Sequence, residues 1–253
     1  MRIGATVRST AVAAVAVLCA APVCGQATTL RLMPAEGQVS RYVIEAETSV
    51  AGSVMSTQKI YRTETVTSVA ADVIEIQAVV DSSSSTEAVP GMGGPDLSGM
   101  SYSFGVDARY RVSGLTDAGT LSPEAEAGVG AMLGSSFFEL PEGEVSPGDS
   151  WSGQVTTEIP AAGGGTLTTE TEMTYTLVSV DGDIAEISLE GTLTMSGNAG
   201  GMQMDGTGGV SGTAVFDAGQ SRLHSHESVM TVDLSVGGMP MSMQTSTTRG
   251  IIP

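Results

Sequence analysis

The chain is almost without lysine. Lys59 is the single one in 253 residues, and nine arginines are set against 28 Asp and Glu, for a net charge of -18. So few cations cannot neutralise a run of phosphates, which excludes a nucleic-acid partner. Docking on anionic lipid is disfavoured for the same reason. Cysteine is scarce too: Cys19 and Cys24 are the only two. Aromatics make up 4% of the chain. No Gly-x-Ser-x-Gly, phosphate-binding loop or His-Glu-x-x-His occurs, so the commonest catalytic signatures are missing. Beyond the N-terminal stretch no run approaches the roughly 18 apolar residues of a membrane-spanning helix.

What the N-terminus does contain reads as an export signal. Arg2 and Arg8 precede a small, apolar stretch over residues 9 to 23, and Gly25-Gln26-Ala27 offers small residues at -3 and -1. Cleavage after Ala27 is expected, with Gly25 as the near alternative. The expected location is therefore periplasmic or extracellular. Both cysteines leave with the signal, and the remaining 8 basic and 28 acidic residues carry a charge of -20. Lipid anchoring at Cys24 is disfavoured, because Ala21-Pro22-Val23 lacks the leucine and the small residue that such processing prefers directly before the cysteine.

The mature chain alternates with period two, the mark of half-buried strands. In residues 42–50, Tyr42, Ile44, Ala46, Thr48 and Val50 point one way and Glu45, Glu47 and Ser49 the other. Residues 72–80 repeat this with Ile74, Ile76, Ala78 and Val80. Further strands are expected over 53–69, 101–116, 150–158, 166–180, 184–195, 207–216, 221–236 and 239–249, with Asp181-Gly182 as a tight turn. Residues 82–99 and 197–209, rich in Ser, Gly and Pro, read as loops. One segment departs from the pattern. Ser122-Pro123-Glu124 has the cap, first-turn proline and acidic residue of a helix start. Val129, Met132, Leu133, Phe137 and Leu140 follow at helical spacing.

The chain also resembles itself. Residues 65–77 align with 176–188 at an offset of 111 positions, with six of thirteen identical, and Asp117-Ala-Gly119 recurs as Asp217-Ala-Gly219. A duplication follows: a first β half over 28–121, a connecting helix over 122–140, and a second β half over 141–253, together one structural domain. The fold class expected is mainly β, a large antiparallel curved sheet, half-barrel or sandwich with one helix between its halves.

Leu30-Arg-Leu-Met-Pro34 with Gly37 and Tyr42, Pro147-Gly-Asp-Ser-Trp151 after Leu140-Pro141, and Phe216-Asp217-Ala-Gly219 resemble a family of exported bacterial proteins catalogued as a domain of unknown function. The resemblance implies a β-rich exported protein and carries over no catalytic residue or cofactor. On architecture alone there is a looser likeness to periplasmic lipid carriers, in which a curved sheet wraps a helix.

Chemically active candidates are few. Gly148-Asp149-Ser150 could begin an esterase, but no Asp-x-x-His follows to supply a base. A turn at Pro147-Gly148 braced by Asp149 explains the same residues. If Gly237-Gly238 is a two-residue hairpin turn, Met239 faces Val236, Met241 faces Leu234, Met243 faces Val232, and His226 faces Arg249. His224, His226, Met230, Met239, Met241 and Met243 would then share one face, a soft ligand set suited to copper. Ordinary adaptable core packing is the stronger explanation of methionines alternating with Val and Leu. The expected function is non-enzymatic, without a cofactor: binding of an apolar small molecule or of another envelope protein. Val129, Met132, Leu133 and Phe137 are the ligand-facing candidates. Soft-metal binding and a purely structural module are the alternatives. Few aromatics and many small residues leave room for a ligand inside the sheet.

Overall fold

The computed structural model describes residues 27–70, 73–88, 96–134, 138–160 and 165–253. Apart from Ala27, the segment expected to be an export signal lies outside these residues, as do Cys19, Cys24 and Phe137.

Two short strands, β1 (Thr28–Thr29) and β7 (Glu144–Val145), pair with each other. The remaining strands form one antiparallel sheet: β2 (Val39–Val50), β3 (Ser53–Val69), β4 (Ile74–Glu87), β5 (Ser101–Val106), β6 (Val112–Asp117), β8 (Ser150–Pro160), β9 (Thr166–Asp181), β10 (Ile184–Ala199), β11 (Met202–Asp217), β12 (Arg222–Val236) and β13 (Met239–Ile252). Their order is β6-β5-β4-β3-β2-β13-β12-β11-β10-β9-β8. Every neighbour is consecutive in the chain except at one seam, where β13 meets β2 and Ile252 stands opposite Arg41. The sheet does not close, because β6 and β8 remain its two edges.

The single helix among the described residues, α1 (Pro123–Gly134), packs against both of those edges. Strands at opposite ends of an eleven-stranded sheet can meet one short helix only if the sheet is strongly curled. Ser122 caps the helix as expected, its Oγ accepting from the Ala125 amide at 3.3 Å. Ala125, Val129 and Leu133 form the buried stripe.

Curvature is written into β11. Its concave positions alternate through Gly206, Gly208, Val210, Gly212 and Ala214. A Cβ at Gly208 would lie 2.0 Å from the Thr231 carbonyl oxygen, and one at Gly212 2.1 Å from that of Glu227. Glycine is needed where a neighbouring backbone approaches this closely.

One end of the curl is shut by a clasp. Tyr110, in the turn between β5 and β6, meets Phe138 edge-on at 5.5 Å; Phe138 meets Tyr175 of β9 at 6.5 Å; Tyr175 stacks on Trp151 of β8 at 5.8 Å. The Leu140 amide donates to the Arg109 carbonyl at 2.8 Å, and Arg109 Nε returns to the Leu140 carbonyl at 3.1 Å. Trp151 Nε1 donates to the Glu139 carbonyl at 2.8 Å, and Arg109 pairs with the Glu139 carboxylate at 2.6 Å. Leu30 and Leu32, before β2, are buried, and the Leu32 amide donates to Ala108 at 2.8 Å.

Several sequence expectations need correction. The described helix covers Pro123–Gly134, and Phe138–Leu140, expected within a helix over 122–140, are not helical. Phe138, Glu139 and Leu140 are buried in the clasp without helical structure, because their bonds to Arg109 and Trp151 replace helical ones. Residues 101–116 form two strands, parted by a turn in which Asp107 accepts from the amides of Arg109 and Arg111. Ser82–Ser85 belong to β4 and Gly206–Gly209 to β11, since pairing outweighs their loop-like composition. The self-similar segments fold as the hairpin ends of β3–β4 and β9–β10, apart from residues 71–72, which lie outside the description.

Phe138 is the keystone of the aromatic chain. Phe138→Ala is expected to lower unfolding stability in urea by about 3–5 kcal/mol, the usual cost of deleting a buried phenylalanine ring. A loss below about 1 kcal/mol would mean that the clasp does not hold the sheet's edges together.

Candidate functional site

Between the helix and the concave face lies a hollow of about 260 Å³. Its apolar wall combines Ile44, Ile60, Val210, Leu223 and Met230 of the sheet with Met132 and Leu133 of α1 and the rings of Tyr110 and Phe138. Its polar wall comes from the central strands: Gln58, Arg62, His226, Ser228, Thr245, Thr247 and Arg249. Of the expected ligand-facing residues, Met132 and Leu133 do line it. Val129 is buried in the core one turn earlier, and Phe137 lies outside the described residues, its neighbour Phe138 lining the hollow instead.

The polar wall is built by strand parity. Ile60, Arg62, Glu64 and Val66 alternate along β3, all buried, so two charges occupy positions otherwise given to aliphatic side chains. Arg249 of β13 lies opposite Ile44 on one side and His226 on the other. One terminal nitrogen of Arg249 donates to both Glu64 oxygens, at 3.0 and 3.1 Å. Arg62 also pairs with Glu64 and donates to the Tyr102 hydroxyl at 2.8 Å. The Arg249 guanidinium lies 3.9 Å from the centre of the Tyr42 ring, and the Tyr42 hydroxyl donates to the Leu223 carbonyl at 3.1 Å. Burial works against the Glu64 carboxylate, yet Arg249 and Arg62 outweigh it and hold its pKa below the ordinary range. Two guanidiniums thus share one carboxylate, and the cluster keeps one positive charge in excess. The Nε–H groups of Arg62 and Arg249 are both buried without an acceptor.

Tyr110 is set by an unusual backbone. Its φ of 66° is rare for a bulky side chain. Such a conformation costs on the order of 1 kcal/mol or more and persists only where the surroundings over-determine it. Here the Tyr110 amide donates to the Asp107 carbonyl at 2.9 Å, and Arg111 grips the Asp107 carboxylate at 2.6 Å.

The expected hairpin register is present residue for residue: Met239 opposite Val236, Met241 opposite Leu234, Met243 opposite Val232, and His226 opposite Arg249. His224 does not join that face. A bulge lets Phe216 pair with Leu223 and Val215 with Ser225, leaving His224 as the extra, exposed residue while Leu223 and His226 both face inward. His226 and Met239 are ten register positions apart, about 33 Å at strand rise. The methionines are strung along the strands instead of gathered at a point, and Met239 and Met241 are exposed near the hairpin turn. Among the described residues no three of His, Cys, Asp and Glu cluster as metal ligands. His226 and Arg249, paired near a strand end, both line the hollow. Arg62 and Glu64 escaped notice, although their shared parity with Ile60 and Val66 was a legible signal.

The remaining chemical candidate, Ser150, is hydrogen-bonded to Thr176 at 2.8 Å between oxygens. The Pro147-Gly148 turn is braced as expected, the Ser146 amide donating to the Asp149 carboxylate at 2.8 Å.

Residues 126–222 match the model of a family described as "Family of unknown function (DUF6263)". The match agrees with the expected domain of unknown function and assigns no reaction. It spans most of α1 through the start of β12, and so takes in Met132, Leu133, Phe138 and Val210 but none of Arg62, His226 and Arg249. No curated protein matches the chain. No helix among the described residues is long and apolar enough to cross a membrane.

His226 is the titratable group to follow. Burial, reinforced by Arg249, lowers its pKa to about 4, and its Nε2 is buried without a partner. The folded protein therefore binds fewer protons than the unfolded chain, whose histidine titrates near 6.5, so stability falls as pH drops from about 6.5 toward 4. Chemical denaturation at pH 7 and pH 4.5 should differ by about 2 kcal/mol from this group. His226→Gln should remove that part of the slope. An unchanged slope in the variant would place the imidazole in water.

Proposed function

We propose that the protein is an exported, non-enzymatic binding protein whose hollow takes an apolar small molecule. The observation that carries this reading is the partly open hollow of about 260 Å³ beneath a helix that touches the sheet's two edges without filling the concavity. A dry apolar cavity of roughly 150 Å³ accepts benzene, so this one has room for a larger body. A mainly apolar wall with a few convergent polar groups is the usual make-up of a ligand site. The lengthwise spread of the methionines favours this reading over a soft-metal centre. An interior with space to spare favours it over a purely structural module.

Native mass spectrometry of protein purified from its own host should reveal a bound small molecule. An apolar naphthylamine dye should brighten on titration with delipidated protein. Ala46→Phe, which projects a ring into the hollow, should weaken dye binding at least tenfold while leaving the urea midpoint within about 1 M of the parent. Met132→Trp, from the helix side, gives a second blocking test if the first variant misfolds. Dye binding that neither change affects would remove the hollow as the site.

A further inference from the structure

We infer that the ligand is an amphiphile with a single negatively charged head, a long-chain carboxylate, held with its head against Arg62 and Arg249. The inference rests on the proposed use of the hollow and adds a polarity to it.

Charge is the first ground. The residues lining the hollow include two arginines and no carboxylate. Glu64, just outside the lining, is the one carboxylate paired with either guanidinium. The count is +2 against -1, and a monoanion brings it to zero. This excess is buried in a chain with net charge -18 and only ten basic residues. A buried charge is costly unless compensated. Hydrogen bonding is the second ground. Each guanidinium keeps a buried Nε–H without an acceptor, and no acidic side chain is at hand to add one. Guanidinium groups match planar oxyanions well. The layout is the third ground. Arg62 and Arg249 lie on neighbouring central strands together with Ile44, Ile60 and Leu223, while Met132, Leu133, Phe138, Val210 and Met230 give the hollow a wholly apolar side. The guanidiniums thus offer a place for an anion, and the apolar side contacts for an acyl chain.

The test compares three twelve-carbon probes at pH 7.5 by displacement of the naphthylamine dye from the full-length mature protein: dodecanoate, dodecanol and dodecylamine. Dodecanoate should bind at least tenfold tighter than dodecanol, and dodecylamine weakest. In Arg249→Met, which leaves Arg62 and Glu64 as a neutral pair, the preference for dodecanoate over dodecanol should fall to within threefold. Arg62→Met serves the same purpose if the first variant is unstable. Equal binding of dodecanoate and dodecanol by the parent would overturn the anionic head and leave the apolar hollow standing. Failure of all three probes to displace the dye would overturn both. Dodecyl phosphate, added as a fourth probe, would overturn the carboxylate monoanion if it bound tighter than dodecanoate.

Discussion

An open sheet of eleven strands has two edges and a concave apolar face, and all three must be dealt with at once. Unpaired edge strands invite pairing with other chains. An exposed apolar face of this size invites aggregation. Here the chain passing from edge strand β6 to edge strand β8 is itself the cover. The helix it carries touches both edges, and the aromatic chain from Tyr110 through Phe138 and Tyr175 to Trp151 ties one end. The sheet curls because its edges are held by one segment, and β11 can follow the curl because its concave positions include Gly206, Gly208 and Gly212. A bridge held at its ends need not fill what it spans. The hollow follows from that arrangement: a twelve-residue helix lies across a concavity whose depth the small side chains of the sheet leave unfilled.

The electrostatics of the hollow follow from a second scarcity. A chain with so few cations has little reason to bury any, yet Arg62 and Arg249 both sit at the centre of the sheet. Aromatic faces and a shared carboxylate make this tolerable: Tyr42 beneath Arg249, the Tyr102 hydroxyl on Arg62, and Glu64 between them. A guanidinium stacked on a ring gains attraction that survives desolvation. The same positive cluster lowers the basicity of the neighbouring imidazole of His226 beyond what burial alone does. Burial and charge therefore act on this histidine in the same direction, while on Glu64 they oppose each other.

Much of the scaffold was legible in the sequence. Period-two alternation located β3 to the residue, and the Gly237-Gly238 turn fixed the last hairpin's register. Ser122-Pro123 marked the helix start because cap chemistry is local. What escaped was set by tertiary competition. The helix end was lost because Arg109 claims the backbone of Leu140 from across the sheet. The glycine-rich ends of β10 and β11 were misjudged because pairing across a curved sheet rewards the absence of a side chain. His224 was placed on the wrong face because one bulge reverses parity, and nothing in Leu-His-Ser-His announces a bulge. The polar wall was missed for a different reason. Charged residues at apolar parity in β3 were visible, but their significance needs Arg249, which lies 185 positions from Glu64 and joins it only through the β13–β2 seam.

That seam gives the polar wall a structural consequence. It is the single place where the meander is closed by strands distant in sequence, joining the first long strand to the last. Arg249 reaches across it to Glu64, and Tyr42 supports Arg249 from the far side. Closing so long a loop costs conformational entropy that local hairpins do not incur. Contacts that form only once the seam is closed are therefore the ones on which cooperativity of the whole sheet turns. A ligand neutralising the excess charge at this point would bind the closed seam and not the open one. By linkage it would stabilise the fold in proportion to its occupancy. Hollow and seam thus coincide: Arg249, which lines the hollow, is also the residue that ties the last long strand to the first part of the sheet.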